Sequence, residues 1–236
     1  MTPLRESVTA VPAIPLRRDR QGGASSRLAR EGSMDIILSN DSIDVQECDV
    51  IATGFFLDER PLRGASGWID WRLNGRLSRF IQAKRLTGEW KETILVPSEG
   101  RIVAPLILLI GLGRVKEYGP LRLRELSAHL IMTLQGIQVP NVCLSFPSGE
   151  PYSIDCVKTA EVLVEGIAGC LDRDPRLTGE EWVKNLRLLF TQDAGRFEET
   201  LLGIQAVKSI LKDRFQIKVW VGSDHPDSPE ERHEET

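Results

Sequence analysis

Apolar runs of strand length that alternate with amphipathic helical stretches predict an α/β protein, a three-layer α/β/α sandwich on a mixed, mostly parallel sheet. Three features of the 236-residue chain carry that expectation. Strand-like runs come early and close together, at 34–38 and 48–52. From Pro120 onward, helix and strand patterns alternate. Between them, a small-residue segment, Arg63-Gly64-Ala65-Ser66-Gly67, stands where a buried strand gives way to helix periodicity.

Each element has its own signal. The first two runs are joined by a polar turn through Asn40 and Asp41, and the second ends in Gly54. Downstream, Ile69, Leu73, Leu77, Phe80 and Ile81 recur at helical spacing while Asp70, Arg72, Arg76, Arg79 and Lys84 fall largely elsewhere, which predicts one helix over 66–85. Strands follow at 93–96 and 106–111, with Pro97, Gly100 and Pro105 making turns of the link. Pro120 suits the first position of a helix whose Leu123, Leu126, Leu130 and Leu134 form a stripe, stopped near Gly136 and Pro140. A strand at 142–146 then leads through the loop Pro147-Ser148-Gly149-Glu150 into a helix at 155–171. The pattern closes with a strand at 183–190, a helix at 195–212 and a strand at 216–221. Glu198 and Glu199 near the start of that last helix, with Lys208 and Lys212 near its end, suit the helix dipole.

Length and charge bound the function. The chain is long enough to bury one substantial core, and residues 34–222 are expected to form a single domain. A net charge of −4 disfavours nucleic acid and anionic membranes as partners. No run approaches the roughly 18 apolar residues of a membrane span. Cys48, Cys143, Cys156 and Cys170 are widely spaced without a CxxC pair, so reduced thiols in a cytoplasmic protein are expected. Residues 1–33, with Arg5, Arg17, Arg18, Arg20, Arg27 and Arg30 among Ser, Gly and Pro, read as a disordered arm rather than an organelle-targeting peptide. Met34, opening the first strand, is an alternative start of translation. Residues 223–236 read as an acidic disordered tail, and His225 and His233 within it have no metal-ligand spacing.

Candidate chemistry is sparse. Two glycines and two small residues at 64–67 let backbone N–H groups meet an anion at a helix N-terminus, although the same residues satisfy plain turn and cap geometry. Adjacent Asp58 and Glu59 before Arg60 read as an ion-paired loop rather than an acid–base pair. Ser66 and Ser148 lack a Gly-x-Ser-x-Gly elbow, and His129 lies within a helix with no nucleophile beside it. Trp68, Trp71, Trp90, Trp182 and Trp220 read as core and edge packing.

Two stretches carry a resemblance. GFFLDERPLRGASGWIDWRLNGRLSRFI at 54–81 holds Glu59-Arg60-Pro61-Leu62, the small-residue loop, Asp70-Trp71 and Leu73-Asn74-Gly75 in that order. ETILVPSEGRIVAPLILLIGLG at 92–113 adds a strand ending in proline and a Gly111-Leu112-Gly113 strand end. Together they resemble the N-terminal domain of the leucyl aminopeptidase family, peptidase family M17, over residues 34–221 and most strongly over 49–114. The resemblance implies a macro-domain-like fold. It also implies that peptidase chemistry belongs to a separate C-terminal domain, where lysines and carboxylates hold two metal ions, and this chain shows no counterpart of it. Thr191-Gln192-Asp193-Ala194-Gly195-Arg196 is similar to part of that domain's signature but lacks its glutamate, and reads as a helix cap in which Asp193 serves the first helical N–H groups.

The expectation is therefore a non-catalytic interaction or regulatory module without metal or cofactor, partnered with an M17 catalytic subunit or with itself. A split aminopeptidase subunit is one alternative. Another is a macro-domain-type binder of ADP-ribose or a related nucleotide. Its candidate residues are Arg63, Gly64, Ala65, Ser66 and Gly67, with Gly111, Gly113, Ser148 and Gly149 in the corresponding loops.

Overall fold

A computed structural model describes residues 33–212 and 216–222. The arm, nearly all of it, and the acidic tail with its two histidines lie outside the described residues. Strands β1 (Ser33–Ser39), β2 (Val50–Phe55), β3 (Thr93–Pro97), β4 (Leu106–Gly111), β5 (Asn141–Ser145), β6 (Arg187–Thr191) and β7 (Gln216–Val221) form one sheet in the order β3-β4-β2-β5-β6-β1-β7. Every neighbouring pair is parallel except β3 with β4. The mixed, mostly parallel sheet expected from the sequence is present.

Alternation along the strands sends side chains into two cores. Met34, Ile36 and Leu38 of β1, with Val50 and Ala52 of β2, face helices α3 (Pro120–Ile137), α4 (Cys156–Arg173) and α7 (Ala194–Leu211). Ile51 and Phe55 face the other way, onto helices α1 (Gly64–Arg72) and α2 (Arg76–Gln82) and the apolar residues Ile43, Ile102 and Ala104. These are the three layers. The interior strands β2 and β4 are buried on both faces, which is why they read as continuous apolar runs. Pro120 occupies the start of α3, and the Asp155 carboxylate caps α4 by accepting the Lys158 N–H at 2.7 Å. Among the described residues no helix is long and apolar enough to cross a membrane.

Three local expectations are corrected. The single helix over 66–85 is two helices, because Asn74 and Gly75 take positive φ angles of 54° and 72° between them. The apolar period runs on through the break, since Ile69, Leu73 and Leu77 all enter one core. The buried Asp70 carboxylate bridges the break, accepting the N–H groups of Leu77 and Ser78 at 2.8 and 3.2 Å and so capping α2 from α1. Second, the strand at 183–190 begins only at Arg187, and Glu181–Lys184 is a short helix, α6, that buries Trp182 and Val183. A further short helix, α5 (Pro175–Thr178), precedes it. Third, Trp68 and Trp71 are not packing residues of the interior: they are 44% and 63% exposed, with ring centroids 4.9 Å apart.

Candidate functional site

The C-terminal ends of β1, β2, β5 and β6 open onto a cleft of about 600 Å³. Loops leaving the carboxyl ends of parallel strands, where the sheet's direction of winding changes, are the usual ligand-binding place of such sheets. Four segments supply the walls. After β1 come Asp41, Ser42 and Ile43. After β2 come Arg63, Gly64, Ala65 and Trp68, and after β5 come Phe146, Ser148 and Tyr152. After β6, Gln192, Asp193 and Arg196 complete the enclosure.

The wall after β2 is built from the small-residue segment. Arg63 is the N-cap of α1 in extended conformation, with no side-chain cap on the first turn. Gly64 has φ +56° and open space around its α-carbon. Ser66 and Gly67, by contrast, are spent on structure. The Ser66 hydroxyl donates to the Arg63 carbonyl at 3.0 Å, and a Cβ at Gly67 would sit 2.5 Å from the Leu62 carbonyl oxygen. Of the residues in this segment picked from sequence, Arg63, Gly64 and Ala65 line the cleft, and Ser66 and Gly67 support it.

Trp68 forms a wall because the loop after β1 fixes it. Its Nε1–H donates to Asp44 Oδ1 at 3.1 Å, and Arg72 Nη2 pairs with Asp44 Oδ2 at 2.7 Å. Ser42 Oγ donates to the same carboxylate. Burial pushes the Asp44 carboxyl up, but hydrogen bonds from Ser42, Trp68 and backbone, with the Arg72 charge, outweigh it and hold the group below the usual carboxylate range. One buried carboxylate thus sets the indole plane.

The wall after β5 rests on an aromatic cluster. Tyr152 stacks on Phe56 at 5.2 Å, and its hydroxyl donates to Glu59 at 2.9 Å. Burial and the Glu59 carboxylate push the Tyr152 phenol up to about 12. Ser148 lines the cleft with its Oγ 3.2 Å from Cys156 Sγ, and no histidine or carboxylate activates it. Gly149 does not line the cleft itself; its φ of +78° serves a turn beside Arg196.

Gly111 and Gly113 do not reach the cleft. A turn at 87–92 covers them, so that a Cβ on Gly111 would lie 1.9 Å from the Glu89 carbonyl oxygen. Asp58 and Glu59 are structural as expected: Asp58 Oδ1 accepts the Val115 N–H at 2.9 Å, and Glu59 holds Tyr152. His129 pairs with Thr93 Oγ1 at 2.7 Å on the outside of α3, and burial with the nearby Lys91 charge lowers its pKa.

Sequence reasoning missed Asp41, Gln192 and Arg196 and gave Asp193 only a capping role. Asp193 does stand at the N-cap of α7, but its side chain makes no cap hydrogen bond, which corrects the expectation that it serves the first N–H groups. The signal that finds all four is position, since each follows the carboxyl end of a parallel strand by a few residues. Chemically, the cleft offers two guanidiniums, two carboxylates and an aromatic face. Among the described residues no cluster of His, Cys, Asp and Glu could hold a metal ion, and the four cysteines are free thiols.

Comparison with known proteins agrees with this fold. The tomato leucine aminopeptidase, in a mutant form, superposes with a TM-score of 0.56 at 16% identity, over 80% of this chain and 37% of the other. The Trypanosoma brucei macrodomain in complex with ADP gives a TM-score of 0.53 at 10% identity, over 72% of this chain and 67% of its own. A probable cytosol aminopeptidase of Synechocystis sp. is 26% identical over 152 residues, which are 64% of this chain and 30% of that relative. The chain thus spans less than a third of the length of the curated relatives that it matches. The model of the cytosol aminopeptidase family, N-terminal domain, matches residues 50–178, more than half of the chain, and the chain belongs to that family.

Proposed function

We propose that this chain works as a non-catalytic binding and regulatory module that takes a small charged ligand in the cleft above β1, β2, β5 and β6. The observation that carries the proposal is that Arg63, Arg196, Asp41 and Asp193 line one cleft and, among the described residues, have no close ion-pair partners. Arg63 Nε stands 3.9 Å from Glu59, and Arg196 Nε 3.9 Å from Asp193, both beyond hydrogen-bond length. Asp41 accepts one hydrogen bond, from the Ser39 hydroxyl at 3.1 Å, and Arg196 donates one to the Ser148 carbonyl at 3.5 Å, which leaves each of the four with bonding capacity for a ligand. The cytosol aminopeptidase relatives and the free cysteines support a cytoplasmic setting, in which the module serves an aminopeptidase catalytic partner or pairs with itself.

A second reading, a nucleotide ligand, is favoured by the similarity to a macrodomain in complex with ADP. Peptide hydrolysis by these residues is not part of the proposal, and purified protein is expected to leave Leu-linked chromogenic substrates intact with Mn²⁺, Zn²⁺ or Co²⁺ present. Calorimetry with ADP-ribose, ATP, phosphate, amino acids and dipeptides tests the binding role. At least one is expected to bind, and to lose about tenfold or more in Arg63→Ala, because a charge-assisted hydrogen bond contributes about 1.5–3 kcal/mol. Failure of every ligand to saturate at millimolar concentration would remove the proposal, and metal-dependent turnover would remove its non-catalytic part.

A further inference from the structure

We propose that the cleft is built for an amphoteric ligand, a free amino acid or short peptide that presents both an ammonium and a carboxylate. This rests on the reading of the cleft as a binding site and specifies its occupant. Both signs of charge line the cleft, with the carboxylates on one side and a guanidinium on each. Arg63 stands on the β2 side, at the start of α1. Asp41 and Asp193 follow β1 and β6, which are neighbours in the sheet, and Arg196 lies one helical turn beyond Asp193 on α7.

A polyanion that reaches Arg196 also approaches the Asp193 carboxylate, 3.9 Å from the guanidinium, and like charges that close repel, more so where the walls exclude water. An ammonium meets the same carboxylates favourably, while a carboxylate suits the planar fork of a guanidinium. The loose pairs at 3.9 Å and the 60% and 68% exposure of the Arg63 and Asp193 side chains leave these groups free to re-pair with a ligand.

The remaining lining fits the body of such a ligand. Ile43, Phe146 and the Asp44-held face of Trp68 give apolar area for a side chain, and Gln192 and Ser42 give hydrogen-bonding capacity for a peptide unit. A volume of about 600 Å³ lies within the ordinary range for small-molecule sites, about 300–1,000 Å³.

The test is calorimetry on the full chain with four probes: the dipeptide Phe-Ala, its N-acetyl form, its C-terminal amide and ADP-ribose. Phe-Ala is expected to bind, and each blocked form to bind about tenfold or more weakly. Asp193→Asn and Asp41→Asn, both near-isosteric, are expected to weaken Phe-Ala by about tenfold while leaving the acetylated form unchanged. Arg63→Ala is expected to do the converse, affecting the acid but not the amide. Melting curves for each variant must match the parent. Equal binding of free and blocked dipeptides overturns the inference. Binding of ADP-ribose without Phe-Ala overturns it too, but leaves the cleft as a ligand site, whereas failure of all four probes overturns both.

Discussion

The carboxyl end of the sheet has two regions, the corner at β4 and the cleft above β1, β2, β5 and β6, and they use their charged residues differently. At the first, the turn at 87–92 lies across the strand ends. Arg60 donates to the carbonyls of Phe56, Glu59 and Thr87 at 2.5, 2.6 and 2.8 Å, and Glu92 accepts the N–H groups of Thr87 and Gly88 at 2.9 and 2.6 Å. Arg60 and Glu92 are spent largely on backbone. At the second, the ion pairs of Arg63 with Glu59 and of Arg196 with Asp193 are loose, both at 3.9 Å, and Arg196 adds one long bond to the Ser148 carbonyl at 3.5 Å. Charged loop residues at a sheet edge are structural where the backbone claims them and available where it does not, and glycine content alone does not separate the two cases.

The largest test of this contrast compares two glycines. A methyl group on Gly111 must displace the Glu89 carbonyl, 1.9 Å away, and Gly111→Ala is expected to cost about 3 kcal/mol as an overpacking change. Gly64→Ala meets no atom within 4 Å and is expected to cost only about 1 kcal/mol, for a side chain held at a φ of +56°. Urea denaturation gives both values. If the two variants lose equal stability, the turn at 87–92 yields easily and the closed corner is not closed.

Next in size is the Glu92 carboxylate. Burial raises its pKa, but hydrogen bonds from Gly88 and Thr87 outweigh that and hold it below its ordinary value of 4.5. A depressed folded-state pKa gives stability that is fully present above the unfolded value and is lost as pH falls through the folded one. Glu92→Gln is expected to cost about 2 kcal/mol at neutral pH, the scale of a lost charged acceptor. It should also flatten the fall in stability below about pH 4.5. An unchanged acid limb in the variant would assign that limb to other carboxylates, such as Asp44, whose pKa is depressed by its own hydrogen bonds.

Much of this was legible in the sequence, for stated reasons. Buried parallel strands announce themselves as apolar runs, and β4 falls where its run does. Pro120 and Asp155 mark helix starts because only local geometry is needed to read them. Asp58 and Glu59 read as structural, although the partners that hold them, Val115 and Tyr152, are distant in the chain. The break at Asn74 was not, because Leu73 and Leu77 keep helical spacing across it and only the two positive φ angles reveal it. Nor was the fate of Gly111 and Gly113. Whether a glycine-bearing strand end faces solvent depends on a turn some twenty residues earlier crossing over it, a long-range fact without a local signal. Arg196 and Asp41 are brought to one cleft by the pairing of β1 with β6, across about 150 residues of chain.

The smallest expected effect is the most discriminating, because it sets two arginines three residues apart against each other. Arg60 is fixed by three carbonyl acceptors, so Arg60→Ala leaves those carbonyls to find water or go unpaired, and is expected to cost about 2 kcal/mol. Arg63 has a side chain 60% exposed and a single carboxylate at 3.9 Å, and pairs of that kind contribute between about 0 and 1 kcal/mol. Arg63→Ala is therefore expected to melt within about 0.5 kcal/mol of the parent while losing ligand affinity, and Arg60→Ala to lose stability first. A destabilisation by Arg63→Ala as large as that by Arg60→Ala would mean that the open side of the sheet edge is held by its charges as firmly as the closed side, and the cleft would then be a structural feature rather than a site.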